Sequence, residues 1–387
     1  MPRTQVAIVG AGPAGLLLAQ LLHLAGIESV VLERRSREYV EARVRAGVLE
    51  DGAARILREA GVGARLEREG LAHRGIHIQF GGARHHLDFV DLAGRGIVVY
   101  GQQEVVKDLI AARLATGRPL QFEAEAITVL GVDTQRPTVR YLESGREAEL
   151  RCDFVAGCDG SHGPCRQALG AATRTLARDY PFAWLGVLAA TPPAATELIY
   201  ACHERGFALQ SMRSPEISRL YLQVDPDDRS ERWPPARLWP ELRDRLGAPE
   251  LAPGELLERS VTPMRALVLE PMRRGRLFLA GDAAHVVPPT GAKGMNLALG
   301  DVRALASALE GWYETGDSAG LDGYSGSCLR RVWRAQRFSA FMTGLLHRDP
   351  GDDAFAHRLR LAHLDHVVGS RAAATALAED YTGAATD

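Results

Sequence analysis

The sequence predicts an α/β fold in which a Rossmann-like nucleotide-binding domain is interrupted by an inserted β-sheet domain and followed by helices. Three observations carry that reading. A short apolar run, Thr4 to Gly10, turns through Gly10-Ala-Gly12-Pro-Ala-Gly15 into the helix-forming stretch Leu16 to Ala25. Four strand-like runs succeed one another between Ala183 and Val224 with no helical pattern between them, the mark of an antiparallel sheet. An apolar run from Arg276 to Ala280 then ends in Gly281-Asp282, and long helical patterns occupy the remainder. At about 150 residues per domain, 387 residues suit two or three domains. The expected division is a discontinuous nucleotide domain over residues 1–171 and 265–345, a β-rich substrate domain over 172–264, and a C-terminal helical segment over 346–387.

Taken in order, Thr4 to Val9 is the first strand, and Gly26 suits the C-terminus of the helix that follows. Ser29-Val-Val-Leu-Glu33 returns as a second strand, which completes a βαβ unit. Leu49, Ala53, Ile56, Leu57 and Ala60 lie at helical spacing, whereas Gly75 to Phe89 and Ile97 to Tyr100 read as short strands. Gln103 to Thr116 reads as an amphipathic helix. Gln121 to Val129 alternates, Thr138 to Leu142 continues the sheet, and Ser144-Gly145 turns the chain into Glu147 to Ala156. In the inserted domain the runs are Ala183 to Ala190, Glu197 to His203, Gly206 to Ser211 and Ile217 to Val224. A Pro-rich stretch, Pro226 to Pro253, encloses one helix around Trp239 to Leu246. A Pro/Gly loop, Pro288 to Gly294, precedes the C-terminal helices, and the chain carries no internal repeat or low-complexity tract.

Composition excludes several classes. With 46% hydrophobic and 24% charged residues, 40 Gly and 20 Pro, the chain is neither disordered nor fibrous. Basic and acidic residues, 46 against 48, leave a formal charge of −2, so no positive field invites nucleic acid or an anionic membrane. Leu16 to Ala25 is interrupted by Gln20 and His23 and is far too short to span a bilayer. Thr4 onward reads as a folded strand rather than a secretory leader, so a cytoplasmic location is expected. Five cysteines without a CxxC pair argue against a disulfide framework or a thiolate metal site; small buried hydrophobes are expected.

The glycine motif alone is weak among 40 glycines, but it follows a strand, opens a helix, and is answered by Glu33 at the end of the second strand. Gly10 permits the turn, Gly12 lets a pyrophosphate approach the backbone, and Gly15 lets helix and strand pack. The helix N-terminus offers unpaired N–H groups to phosphate, and the Glu33 carboxylate binds a ribose hydroxyl, which favours FAD or NAD over a 2′-phosphorylated nucleotide. Cys158-Asp159-Gly160 and Gly281-Asp282 each end a strand and would singly be turns or caps. Their order after a GxGxxG resembles the three fingerprints of FAD-dependent aromatic hydroxylases. A second GxGxxG is missing, unlike the disulfide-reductase type of flavoprotein.

Within that class A family the chain resembles the 4-hydroxybenzoate 3-monooxygenases. The resemblance runs from about residue 4 to 383. It is carried by Arg45-Ala-Gly-Val-Leu-Glu50, Val99-Tyr-Gly-Gln102, Gly206-Phe-Ala-Leu209, Gly281-Asp-Ala-Ala-His285-Val-Val-Pro-Pro-Thr-Gly-Ala-Lys-Gly294 and Ala378-Glu-Asp-Tyr381. It implies FAD as cofactor, NADPH as electron donor with NADH the alternative, and a small aromatic acid and O2 as substrates. The implied reaction is hydroxylation at C3 through a flavin C4a-hydroperoxide. By this resemblance Tyr200 contacts the substrate hydroxyl, Tyr381 receives its proton and His73 relays it to solvent, while Pro289 offers its backbone carbonyl. Ser211, Arg213 and Tyr221 hold the carboxylate. FAD is assigned to Gly10, Gly12, Gly15, Glu33, Arg45, Gln102, Asp159, Asp282, Gly294 and Asn296, with Arg219 steering the flavin. The nicotinamide residues implied are Arg34, Tyr39, Arg43, His162 and Arg265. Ser161 stands where an aromatic residue is expected, and Arg35, Ser36 and Arg37 alter the segment after Glu33. A homodimer is the expected assembly, and no metal is expected. The competing readings are hydroxylation of another aromatic acid and a non-catalytic flavin sensor, which would have no reason to keep Tyr200, Ser211, Arg213, Tyr221, Pro289 and Tyr381 together.

Overall fold

The strand Arg3–Val9 lies inside the first sheet, with Val6, Ala7, Ile8 and Val9 all buried, as expected of a parallel strand covered on both faces. This comes from a computed structural model that describes residues 2–45, 47–171 and 173–383. Ala46 in one matched stretch, Ala172 at the expected start of the inserted domain, and residues 384–387 of the C-terminal segment lie outside the described residues. Arg3–Val9 pairs in parallel with Ser29–Leu32 on one side and with Arg146–Gly157 on the other, and the latter pairs in parallel with Leu277–Leu279. The C-terminal ends of these strands therefore point the same way, and Gly10, Glu33, Cys158 and Ala280 collect at one edge. The helix Pro13–Leu24 packs against Gln102–Ala115 and Gly294–Thr315.

Two expected strands are broken. The alternation from Gln121 divides into Leu120–Gln121 and Glu125–Leu130, with Glu123 between them at a left-handed φ of 58°. Phe89 opens the short helix Phe89–Ala93, whose N-cap Asp88 accepts the N–H of Asp91.

The second sheet runs in the order His285–Val286, Glu255–Glu270, Arg174–Ala190, Ile217–Val224, Ala208–Ser214, Leu198–Ala201, Gly75–Phe80, Ala83–Asp88. It thus draws strands from outside residues 172–264; the division of the chain at those boundaries stands as our proposal. Its central strands are buried, and the period of two sorts their side chains between the two faces. Ala183, Leu185, Val187, Ile199 and Ala208 pack against the helix Pro235–Leu246, with Leu238 and Trp239. Trp184, Tyr200, Phe207 and Leu209 face the C-terminal helices instead and share a core with Phe338, Leu377 and Tyr381. That alternation brings Tyr200 to Tyr381 across 181 residues of chain. A small third sheet, Val48–Leu49, Ile97–Val99 and Leu71–His73, sets His73 near the same core. All five cysteines are buried and unpaired, as expected.

Candidate active site

The three glycines of the first turn play three different parts. Gly10 has φ +106°, and a Cβ there would lie 2.4 Å from the Cys158 carbonyl oxygen; a Cβ on Gly15 would lie 2.0 Å from the Gly10 oxygen. Both are demanded by the fold. Gly12 is not, since a Cβ there meets nothing within 4 Å and its backbone is extended. It faces a cavity of about 230 Å³ lined also by Glu33, Arg45, Gln102, Asp159, Asp282 and Gly294. The N-cap of the helix Pro13–Leu24 is Gly12 itself, with no side chain to satisfy the helix's first amides, which leaves them and the positive end of the dipole for an anion. Glu33 is fixed by the N–H groups of Ala11 and Arg35, both at 2.8 Å, and a carboxylate so held has lone pairs left for ribose hydroxyls. These residues fit the adenosine diphosphate half of FAD.

Asp159 caps the chain reversal after its strand, accepting the N–H of Cys165 at 2.8 Å, while its Oδ1 has no partner. Desolvation raises its pKa, partly opposed by the Cys165 amide. The loop at Gly281-Asp282 is held from behind. Asp301, fully buried, accepts the Gly281 N–H at 3.1 Å and meets His285 Nε2 at 2.6 Å. Desolvation would raise the Asp301 carboxyl, but His285 and Arg331 pull it below its ordinary value, so it is anionic and rigidly placed.

The groove widens into a cavity of about 650 Å³ that shares Arg45, Gln102, Asp282 and Gly294 and adds Trp184, Gly186, Arg219, Tyr221 and Pro289. Arg219 donates to Tyr221 Oη at 3.2 Å and pairs with Glu258 at 3.5 Å. Beside it on the neighbouring strand, Arg213 donates to the Met212 carbonyl at 2.9 Å, to that of Arg45 at 3.1 Å, and weakly to Ser211 Oγ at 3.5 Å. Its Nε has no partner. Desolvation of this partly buried guanidinium lowers its pKa.

Behind that pair, Tyr200 and Tyr381 meet hydroxyl to hydroxyl at 2.6 Å, each 1% exposed. Desolvation raises both phenols, so neither ionises near neutrality. His73 is also buried, both of its ring nitrogens lack a partner, and no hydrogen bond joins it to Tyr381. Asn296, expected beside a cofactor ring, follows Gly294 and Met295 of the groove lining and is anchored by protein partners. Its Oδ1 accepts the Glu50 N–H and its Nδ2 donates to the carbonyls of Val48 and Ala292, so its polar atoms are committed to protein.

Of the expected nicotinamide residues, Arg34, Tyr39 and Arg43 line the groove of about 230 Å³; Tyr39 and Arg43 also border the large cavity with Arg265, which pairs with Asp179 at 3.2 Å, and Arg34 reaches a further cavity of about 260 Å³ with His162. Arg35 lies over the Tyr39 ring at 5.0 Å, while Arg37 turns to Glu41.

One functional candidate escaped sequence reasoning. Lys293, 5% exposed, donates to Glu50 Oε1 at 2.5 Å and to the Tyr381 carbonyl at 2.9 Å, with its ammonium 5.8 Å from the centre of the Tyr381 ring. A signal existed: the 46 basic residues include only two lysines, Lys107 and Lys293, and the second sits in an otherwise apolar loop.

Comparison with known proteins agrees with this geometry. The family described as FAD binding domain matches residues 3–339. The p-hydroxybenzoate hydroxylase of Acinetobacter baylyi is 48% identical over 386 residues, 98% of this chain and 95% of that protein. The 3-(3-hydroxy-phenyl)propionate/3-hydroxycinnamic acid hydroxylase of Burkholderia cenocepacia is 29% identical, over 80% of this chain and 57% of its own length. Among solved structures, p-nitrophenol 4-monooxygenase from Pseudomonas putida superposes with a TM-score of 0.87 at 21% identity, covering 99% of both chains, a likeness of fold.

Proposed function

The chain belongs to the FAD-dependent aromatic hydroxylases, in the family of p-hydroxybenzoate hydroxylase, and from that premise we propose that it converts 4-hydroxybenzoate, O2, NADPH and a proton to 3,4-dihydroxybenzoate, water and NADP⁺. The observation that carries the proposal is the buried Tyr200–Tyr381 hydroxyl pair at 2.6 Å, a device suited to taking a proton from a phenol in a dry site. Bound FAD, held at Gly12, Glu33, Arg45, Gln102, Asp159, Asp282 and Gly294, supplies the activation of O2 that side chains lack.

The protein's part is to make the substrate ring electron-rich and to hold it. Arg213, with Ser211 and Tyr221, takes the carboxylate; the unpartnered Nε and the absence of a paired carboxylate among the described residues leave Arg213 ready for one. Tyr200 takes the substrate hydroxyl, helped by the Pro289 carbonyl. Because both tyrosines are pushed up in pKa, each accepts a proton only as it gives one away, so the negative charge stays on the substrate. The Lys293 ammonium beside Tyr381 favours that charge electrostatically. Arg219 and Tyr221 border the space in which a flavin ring would move. NADPH is the donor we favour because Arg34, Arg35 and Arg43 lie at the groove and suit a 2′-phosphate. A cytoplasmic homodimer is the setting we propose, supported by the exposed Phe341, Phe355 and Leu359 on the C-terminal helices.

The test is NADPH oxidation with a panel of hydroxy- and aminobenzoates, coupled to product mass. Coupled hydroxylation of 4-hydroxybenzoate above the others is expected. Peroxide without hydroxylated product, or a faster coupled reaction with a different acid, would overturn the substrate assignment.

A further inference from the structure

His73 has little direct access to solvent: the residue is 3% exposed, and both of its ring nitrogens lack a protein partner. Buried polar atoms are nearly always hydrogen-bonded, so the two ring nitrogens of His73 call for partners beyond the protein atoms that face them. Its polar neighbours form a cluster outside the groove. The N–H of Arg74, the residue after His73, donates to Glu197 Oε1 at 2.6 Å, and that of Gly75 to the same oxygen at 3.2 Å. The other oxygen of Glu197 meets His86 Nε2 at 2.6 Å. His86 is cross-strand partner of His77, with ring centres 4.9 Å apart, and its side chain is 39% exposed. Glu197 also begins the segment that enters the strand Leu198–Ala201 carrying Tyr200. The cluster thus touches both ends of the path, the tyrosine pair through its strand and water through His86.

We propose that Glu197 and His86, with His77 beside them, form the proton exit of this enzyme, carrying to solvent the proton that leaves the substrate hydroxyl. The proposal rests on the reading of Tyr200 and Tyr381 as a phenol relay. The proton passes from the substrate hydroxyl through Tyr200, Tyr381, bridging water and His73 to the Glu197–His86 pair and then to bulk water. Each carrier gives up one proton as it takes one, so the net result is a bound phenolate and one proton released. Electrostatics agree with the direction of travel. Desolvation depresses His73 to about 4, with Glu197 opposing and His77 adding, so His73 hands a proton on rather than keeping it. Burial would raise the Glu197 carboxyl, but His86 and the amides of Arg74 and Gly75 hold it below its ordinary range, so it is anionic when the proton arrives. The remaining charges facing the cluster are Arg74, paired with Asp88, and Arg84, which donates to the Gly247 carbonyl.

The experiment uses the FAD-loaded enzyme without oxygen or NADPH. 4-Hydroxybenzoate is mixed in weak buffer, proton release is followed with an indicator dye, and phenolate formation by its ultraviolet absorbance. Glu197→Gln, which keeps an acceptor for the Arg74 amide, should slow proton release tenfold or more with substrate affinity unchanged within twofold. His86→Ala should do the same and be rescued by added imidazole. His85→Gln, at a ring that stacks on Phe80, serves as control and should match the parent. Parental rates in both Glu197→Gln and His86→Ala, beside a slow Tyr381→Phe, would overturn the exit and leave the tyrosine relay standing. Parental rates in Tyr381→Phe as well would overturn the relay and the exit together.

Discussion

Replacing Arg213 by alanine removes the cation that we assign to the substrate carboxylate. Its two Nη groups are already engaged by the carbonyls of Met212 and Arg45, and no carboxylate pairs with it among the described residues. A bound benzoate therefore supplies the missing counter-charge, and truncation leaves that anion desolvated and alone. Breaking a buried charge pair in this way costs about 3–5 kcal/mol. Arg213 is only partly buried, so the lower end applies. About 3 kcal/mol corresponds to roughly two decades in Kd at about 1.4 kcal/mol per decade. Arg213→Lys should recover only part of this, because an ammonium lacks the planar fork. The assay is a titration of the FAD-loaded enzyme with 4-hydroxybenzoate, read by flavin absorbance or fluorescence. Phenol, which lacks the carboxylate, is the internal control and should bind parent and variant alike. Unchanged benzoate affinity in Arg213→Ala, or an equal loss for phenol, would remove Arg213 from the carboxylate site.

Four further outcomes are expected. Tyr381→Phe should bind substrate nearly normally but hydroxylate it slowly, with more NADPH electrons appearing as peroxide; parental coupling and rate would refute the relay. Gly12→Ala should fold and melt like the parent yet hold FAD weakly, since its methyl enters the cofactor cavity, whereas Gly15→Ala should be destabilised by its clash with the Gly10 carbonyl; equal FAD content in Gly12→Ala and parent would refute the phosphate position. Neutralising Arg34 and Arg35 together should erase a preference for NADPH, and equal or better kcat/KM with NADH in the parent would remove that role. His347, stacked on Phe182 and Phe207, accepts the Trp184 indole N–H at 2.6 Å, and burial depresses it to about 3. The unfolded chain therefore binds the extra proton first, and stability should fall as pH drops from about 6.5 toward 3; melting curves of His347→Gln that lose as much stability over that window as the parent would contradict this.

The nucleotide half was legible because its chemistry is local. A strand, a glycine turn, a helix and Glu33 lie within one short stretch, and each glycine's part follows from backbone sterics alone. The antiparallel runs from Ala183 to Val224 were legible for the same reason, through their period of two. What sequence patterns could not supply was pairing between distant elements. Tyr200 and Tyr381 are each an apolar-looking residue in its own segment, and only the resemblance coupled them. The strands at residues 75–88 join the inserted sheet through a parallel pairing with Leu198–Ala201 that no neighbouring signal announces. The hydrogen bonds of Asn296 to Glu50 and Val48 could not be read from the sequence, because those partners lie 246 and 248 positions away. Lys293 was passed over although its rarity marked it.

The most direct test of the account is hydroxylation under ¹⁸O2 with 4-hydroxybenzoate and NADPH, read by product mass and ring-proton NMR. The account predicts 3,4-dihydroxybenzoate carrying one ¹⁸O at C3, formed nearly one for one with NADPH oxidised. A product whose new oxygen comes from water, substitution at another ring carbon, or NADPH oxidation that yields only peroxide would contradict it.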